Sequence, residues 1–210
     1  DAGIIATAKH FPGHGDTDVD SHGALPIIDI DEETLFSREL IPFMSLIEAK
    51  VPAIMTGHIS FPKIVPNGEP ASLSKNFITG ILRNKLGYEG LVITDDIMMQ
   101  GAWQYAGVVS NVVRLAIEAG NDIVISSSTA GLNEALWRNN LQLMTTDESF
   151  KKQVVNAAHR VIKSKLDYFK GENPVPLYPD VSKVDATPWH TIVIRSKPMP
   201  VSTFFFSNGD

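Results

Sequence analysis

The chain has 210 residues, 43% of them apolar and 20% charged, with a net charge of −6 and no cysteine. Such a length supports a sizeable core, the acidic balance without a Lys/Arg cluster argues against a nucleic-acid partner, and the missing thiols exclude disulfides and thiolate metal sites. No apolar run reaches the roughly 18 residues of a membrane span, and nothing at the start reads as a signal peptide, so the compartment stays open.

In chain order, Ile4–Phe11 reads as a short buried strand running into a polar loop, KHFPGHGDTDVDSHG. The chain starts at Asp1 without a Met, which leads us to expect a segment of something longer. Asp29 or Asp31 can cap the helix EETLFSRELIPFMSLIEAK, which Pro42 should kink or divide. VPAIMTGHIS is the next apolar run and ends in polar residues. SKNFITGILRNKLG reads as a helix with Ser74 as its cap and Gly87 as its stop. GLVITDD is a third strand, NVVRLAIEAG a helix stopped by Gly120, and NDIVISSS a fourth strand. Helical patterns follow over Leu132–Met144 and Phe150–Phe169.

Strands and helices thus alternate four times, the pattern of a parallel sheet with covering helices. Three strands end in reactive residues: Lys9 and His10, His58, and Asp95 with Asp96. Both a βα barrel and a doubly wound sheet gather ligands at those ends, so the pattern alone leaves the two open. No GxGxxG or GxxxxGK[ST] motif is present, which argues against nucleotide binding. Residues 1–170 read as one βα domain. Beyond them, GENPVPLYPD reads as a linker, and TIVIRSKPMPVSTFFFSNGD as a tail or the start of a second domain.

The polar loop admits three readings. His10, His14, Asp16, Asp18, Asp20 and His22 are all usable metal ligands. No helical ligand spacing fixes them, so we expect no metal and no other cofactor. A solvated turn is the bland alternative, because Gly, Asp and His are common in turns. The third reading is acid/base chemistry: Asp20-Ser21-His22 sets a carboxylate beside a histidine whose tautomer it could fix. The carboxylates closing GLVITDD would complete a kit for two-step glycosyl transfer.

AKHFPGHGDTDVDSHGALP and GYEGLVITDDIMMQGA closely resemble the signatures of glycoside hydrolase family 3, and its bacterial β-N-acetylglucosaminidase branch best. AIMTGHISFP, PASLSKNFITGILRNKLG and AIEAGNDIVI follow in the family's order, so the resemblance covers roughly residues 3–170. It implies a TIM-type (β/α)8 barrel, of which this chain holds the C-terminal half, about four βα units. It also implies a retaining mechanism with Asp95 as nucleophile, His22 as acid/base and Asp20 orienting it. Lys9 and His10 fall where the family contacts sugar hydroxyls, and His58 is a weaker candidate for that role. Asp96 is then a helix cap or loop holder, and His14 and Asp16 shape the loop. Two departures, Gln100 and Gly57, touch none of this chemistry. The implied partner is a carbohydrate, a terminal β-linked N-acetylglucosaminide of cell-wall or chitin type. A glycoside phosphorylase on the same scaffold and a truncated, non-catalytic sugar-binding fragment are the alternatives.

Overall fold

The computed structural model describes residues 5–169. Ile4, the linker and the tail lie outside the described residues. Four strands, β1 (Thr7–Phe11), β2 (Ala53–Thr56), β3 (Leu91–Asp96) and β4 (Ile123–Ile125), form one parallel sheet in the order β1-β2-β3-β4. Strand order thus follows chain order, with no reversal. A doubly wound sheet must reverse at a switch point, whereas a βα barrel adds each strand beside the last. The fold is a four-unit arc of a barrel.

Register divides the sheet into two faces. Ala8 pairs with Ile54 and Ile54 with Val92, and this row packs into a core of Phe11, Leu35, Phe43, Phe61, Phe77 and Ile81. Each such buried side chain contributes about 1.5–3 kcal/mol by leaving water. The next residues along, Met55, Ile93 and Ile123, are also in register and point the other way, where they are only half-buried. That half-open face is what the interior of a barrel presents when four strands are seen alone. Asp95 stands two residues beyond Ile93.

The helices follow local chemistry closely. Asp31 caps α1 (Glu32–Thr34), accepting the Thr34 N–H at 2.8 Å. A wide-turn segment, Leu35–Glu39, closes with the Leu40 N–H on the Leu35 carbonyl, and α2 (Ile41–Glu48) starts with Pro42 in its first turn. Proline lacks an N–H and is tolerated only in such a first turn, so it divides the expected single helix here. The next helical stretch, Asn76–Lys85, begins after Lys75. Ser74 does not cap it: its carbonyl accepts from Ile78, while its hydroxyl is buried without a hydrogen-bond partner. Gly87 has φ 66° and ends the stretch as expected. Periodicity does not signal the helix α3 (Gln100–Ala106), because seven residues are too short to show a period. α4 (Val109–Ala119) stops at Gly120, whose φ of 113° and 2.9 Å Cβ approach to Thr79 Oγ1 favour glycine. α5 (Ala130–Thr146) and α6 (Glu148–Phe169) complete the described chain. Among the described residues, no helix is long and apolar enough to cross a membrane.

Buried polar groups tie the elements together at both ends of the sheet. At the start of the strands, the buried Asp122 carboxylate receives Arg83 at 2.7 Å, Arg160 at 2.6 Å and the Val92 N–H at 2.9 Å. From the residue before Asp122, the Asn121 side chain reaches the end of β2: Thr56 donates to Asn121 Oδ1, and Asn121 donates to the carbonyls of Ser72 and Ala116. Unpartnered, these groups would each cost about 1–3 kcal/mol.

Candidate active site

Parallel strands in sequential order bring every strand's C-terminal end to one rim, and the reactive residues of the sequence meet there. His10, near the end of β1, sets Nε2 3.3 Å from Asp95 Oδ2 near the end of β3. Neither residue is fully open: their side chains are 25% and 19% exposed. Burial lowers the His10 pKa, with the Asp95 charge pulling the other way. A neutral imidazole that hands its Nε2–H toward a carboxylate fits this environment, since an ionised carboxylate only accepts. Asp95 Oδ1 accepts the Asp96 N–H at 2.8 Å. Lys9 stands exposed beside His10. The peptide bonds Lys9–His10 and Phe11–Pro12 are cis.

Asp96 does different work. Its Oδ1 accepts the N–H groups of Met98 at 3.0 Å and Ser127 at 3.1 Å, joining the turn after β3 to the loop after β4. Partial burial acts to raise its pKa, but these hydrogen bonds outweigh it and the pKa falls below the ordinary carboxylate value. It is a loop holder.

The DSH segment forms a tight unit. Asp20 Oδ1 accepts both the backbone N–H of His22, at 2.9 Å, and its ring Nδ1, at 2.6 Å. Nδ1 therefore carries the proton, and Nε2 is left to exchange one with a ligand. Both side chains are 76% exposed. The His22 pKa is raised, first by that hydrogen bond, then by the Asp20 charge and more weakly by Asp95 and Asp96. The loop thus lies within electrostatic reach of the β3 carboxylates. The Asp20 pKa is lowered by the backbone and side-chain hydrogen bonds from His22.

The rest of the polar loop is held down. Asp16 pairs with Arg38, whose Nε also meets Glu39 at 2.6 Å. Gly13, at φ 139°, lies against Glu39, leaving 2.8 Å for a Cβ to the carboxylate. His14 Nε2 sits 3.3 Å from Ser21 Oγ, and its ring stands edge-on to His10 at 5.9 Å. These contacts shape the loop. Among the described residues, no three His, Asp or Glu side chains gather as a metal-ion set.

His58 departs from the expectation of a sugar contact. It is fully buried, with Nδ1 2.7 Å from Ser72 Oγ and Nε2 3.1 Å from the Asp96 carbonyl. Both ring nitrogens are engaged, so neither is left for a hydroxyl. His58 follows β2, an inner strand of the sheet, and is covered there instead of standing open on the rim. Its partner Ser72 lies in PASLS, fourteen residues on, and no spacing signals the pair.

Comparison with known proteins agrees with this architecture. The family model "Glycosyl hydrolase family 3 N terminal domain" matches residues 1–164. The chain is 40% identical to a β-hexosaminidase A of Pseudoalteromonas piscicida, over 59% of this chain and 22% of that protein. It is 36% identical to a β-hexosaminidase of Psychromonas ingrahamii, over 60% of this chain and 36% of that protein. Among solved structures, a glycoside hydrolase family 3 β-N-acetylglucosaminidase from Paenibacillus sp. superposes with a TM-score of 0.75 at 37% identity. That match covers 85% of this chain and 34% of the other. The chain therefore spans between about a fifth and just over a third of the length of these relatives.

Proposed function

The chain belongs to glycosyl hydrolase family 3, and we propose that it supplies the catalytic half of a retaining β-N-acetylhexosaminidase. The observation that carries this reading is the Asp20–His22 dyad, 2.6 Å apart on an exposed loop that the Gln100 and Gly101 N–H groups tie to the segment following β3. The named relatives, β-hexosaminidases and a β-N-acetylglucosaminidase, support the substrate class.

The chemistry runs in two steps. The Asp95 carboxylate attacks the anomeric carbon as the glycosidic C–O bond breaks, and His22 gives its Nε2 proton to the departing oxygen. Neutral His22 then takes a proton from water, whose oxygen attacks the same carbon and releases Asp95. The result is retained configuration through a glycosyl-aspartate. Asp20 keeps Nδ1 protonated in both steps and stabilises the imidazolium formed in the second. His10, beside Asp95, and Lys9, next to His10, are placed to receive sugar hydroxyls. The substrate's N-acetyl group need not act as nucleophile, because Asp95 is in place.

The test uses the full-length enzyme. Incubation with a slow fluorinated N-acetylglucosaminide, then peptide mass spectrometry, should place the sugar on Asp95. The first product seen by NMR should be the β-anomer. Turnover should not rise with phosphate; a phosphate-dependent glycosyl phosphate would instead mark a phosphorylase. His22→Ala should cost about 10²–10⁴ on natural glycosides, and far less in the first step on aryl glycosides whose phenolate departs unaided. Label on another residue, or an inverted product, would sink the reading.

A further inference from the structure

The acid/base loop is mostly open to water, yet one of its residues is not. Ser21, between the exposed Asp20 and His22, is only 4% exposed. It is buried against the first turn of α3. The Ser21 carbonyl accepts the Gly101 N–H at 3.1 Å, and the His22 carbonyl accepts the Gln100 N–H at 3.3 Å. Two residues past Gly23, the Leu25 N–H donates to the Gln104 side-chain oxygen at 3.1 Å. The seat is as close as backbone allows: a Cβ on Gly101 would lie 3.1 Å from the Ser21 carbonyl oxygen, 3.2 Å from that of Ala24 and 3.2 Å from His58 Cβ.

α3 is in turn tied to the nucleophile's strand. Asp96 accepts the Met98 N–H on its carboxylate and the Met99 N–H on its carbonyl, both at 3.0 Å. Gln100 opens the helix immediately afterwards. We propose that Gly101 and Gln104 are positioning residues, forming the seat through which the β3 turn that carries Asp95 also sets the place of His22. The inference rests on the reading of His22 as acid/base. Gln104 is itself exposed. Its side chain adds nothing to the apolar core, so its effect on catalysis is separable from folding.

The experiment compares Gln104→Leu, Gln104→Glu and Gly101→Ala in the full-length enzyme on two substrates, an N-acetylglucosamine disaccharide and the dinitrophenyl N-acetylglucosaminide. Hydrogen exchange at the Leu25 amide is followed in parallel. Gln104→Leu removes the acceptor. It should accelerate Leu25 exchange and lower kcat/KM on the disaccharide on the order of tenfold, as small misplacements of a catalytic group do, with little change on the dinitrophenyl substrate. Gln104→Glu keeps an acceptor oxygen and should restore both readouts. Gly101→Ala wedges the loop away and should show the same substrate bias, more strongly. Equal loss on both substrates, or Leu25 exchange unmoved by Gln104→Leu, overturns the proposal. Absence of any leaving-group bias in His22→Ala itself overturns the acid/base reading instead. The two failures are distinguishable, because Leu25 exchange reports the seat whatever His22 does.

Discussion

His58 Nε2 donates to the carbonyl oxygen of Asp96 across 3.1 Å, so the end of β2 holds the end of β3. A carbonyl only accepts, which assigns the proton to Nε2 and leaves Nδ1 to accept from the Ser72 hydroxyl at 2.7 Å. Burial lowers the His58 pKa and keeps the ring neutral in that tautomer. Ser72 continues the chain of bonds through its own carbonyl to Asn121, and Asn121 to Thr56. A buried, fully partnered network of this kind fixes one backbone position, and the residue next to that position is Asp95.

A substitution that keeps the Nε2-like donor should therefore be told from one that loses it. We expect His58→Asn to lower kcat by about 10- to 100-fold, in line with small displacements of a reacting group. It should also cost about 1–3 kcal/mol of stability for the unpaired carbonyl. His58→Gln, whose amide can reach the Asp96 carbonyl, should recover most of kcat. Linkage adds a pH signature. A histidine whose folded pKa is depressed stabilises fully above its unfolded value, about 6.5, and the benefit is lost as pH falls from there toward the folded value. Thermal melts between pH 7.5 and 5 should show this limb in the wild type and a shallower one in His58→Asn. Equal kcat in Asn and Gln variants would remove the positioning role.

The Asp20–His22 bond makes a second prediction, on the pH profile. Because the hydrogen bond and charge of Asp20 raise the His22 pKa, the acid form persists to higher pH than a free imidazole would allow. The alkaline limb of kcat/KM should therefore lie above about 6.5, the unperturbed histidine value, and should move to lower pH in Asp20→Asn. That variant keeps a side-chain oxygen but loses the charge. Activity at the new optimum should lie between wild type and His22→Ala. An unmoved alkaline limb would mean that another group titrates.

If Asp95 is the nucleophile, as proposed, Asp95→Ala should lower turnover on the order of 10⁴-fold or more, the scale of losing a reacting group. The fold should survive, since the Asp95 carboxylate is an element of the rim and not of the core. Azide, entering the vacated space, should restore turnover on activated aryl glycosides and give the glycosyl azide of inverted configuration. Rescue by azide with retained configuration, or residual wild-type turnover, would assign attack to another group. Asp96→Ala serves as the control: it should loosen the loops after β3 and β4 without opening an azide path.

How much of this was legible beforehand depends on the kind of signal. Continuous apolar strands and the helices between them were read from periodicity. Sequential parallel pairing then chose the barrel over the open sheet. The short helix α3 was invisible for want of length, and with it the seat at Gly101 and Gln104. Ser74 looked like a cap because serine at that spacing usually is one, but the chain turns into the helix one residue later and leaves its hydroxyl buried. The polar loop showed its acid and histidine by spacing, since Asp20 and His22 are two residues apart. His58 carried no such clue: a histidine at a strand end reads the same whether it faces ligand or core. Only burial, and the bond to a carbonyl 38 residues on, separates the two.

The end of the sheet opposite the rim gives the last prediction. Asp122 precedes β4 and its side chain is completely buried, with its two oxygens divided between Arg83 at 2.7 Å and Arg160 at 2.6 Å. Arg83 also donates to the carbonyls of Tyr88 and Gly90, so the cluster joins the Asn76–Lys85 segment, the approach to β3, the start of β4 and helix α6. Removing one partner from a buried ion pair typically costs 3–5 kcal/mol, because the remaining charge is left without compensation. Asp122→Ala strands two guanidinium groups and should reach about that range, lowering Tm on the order of ten degrees. Arg160→Met should cost less, about 1–2 kcal/mol, because Arg160 is the more exposed of the two arginines and Arg83 still neutralises the carboxylate. Because Asp122 lies at the end of the sheet opposite the rim, where a barrel carries support and not chemistry, neither change should alter kcat on folded enzyme. Chemical denaturation and kinetics measured well below Tm decide it. A stability loss under about 1 kcal/mol in Asp122→Ala would mean that water already screens the cluster, and a large fall in kcat would mean that this end communicates with Asp95 through β3.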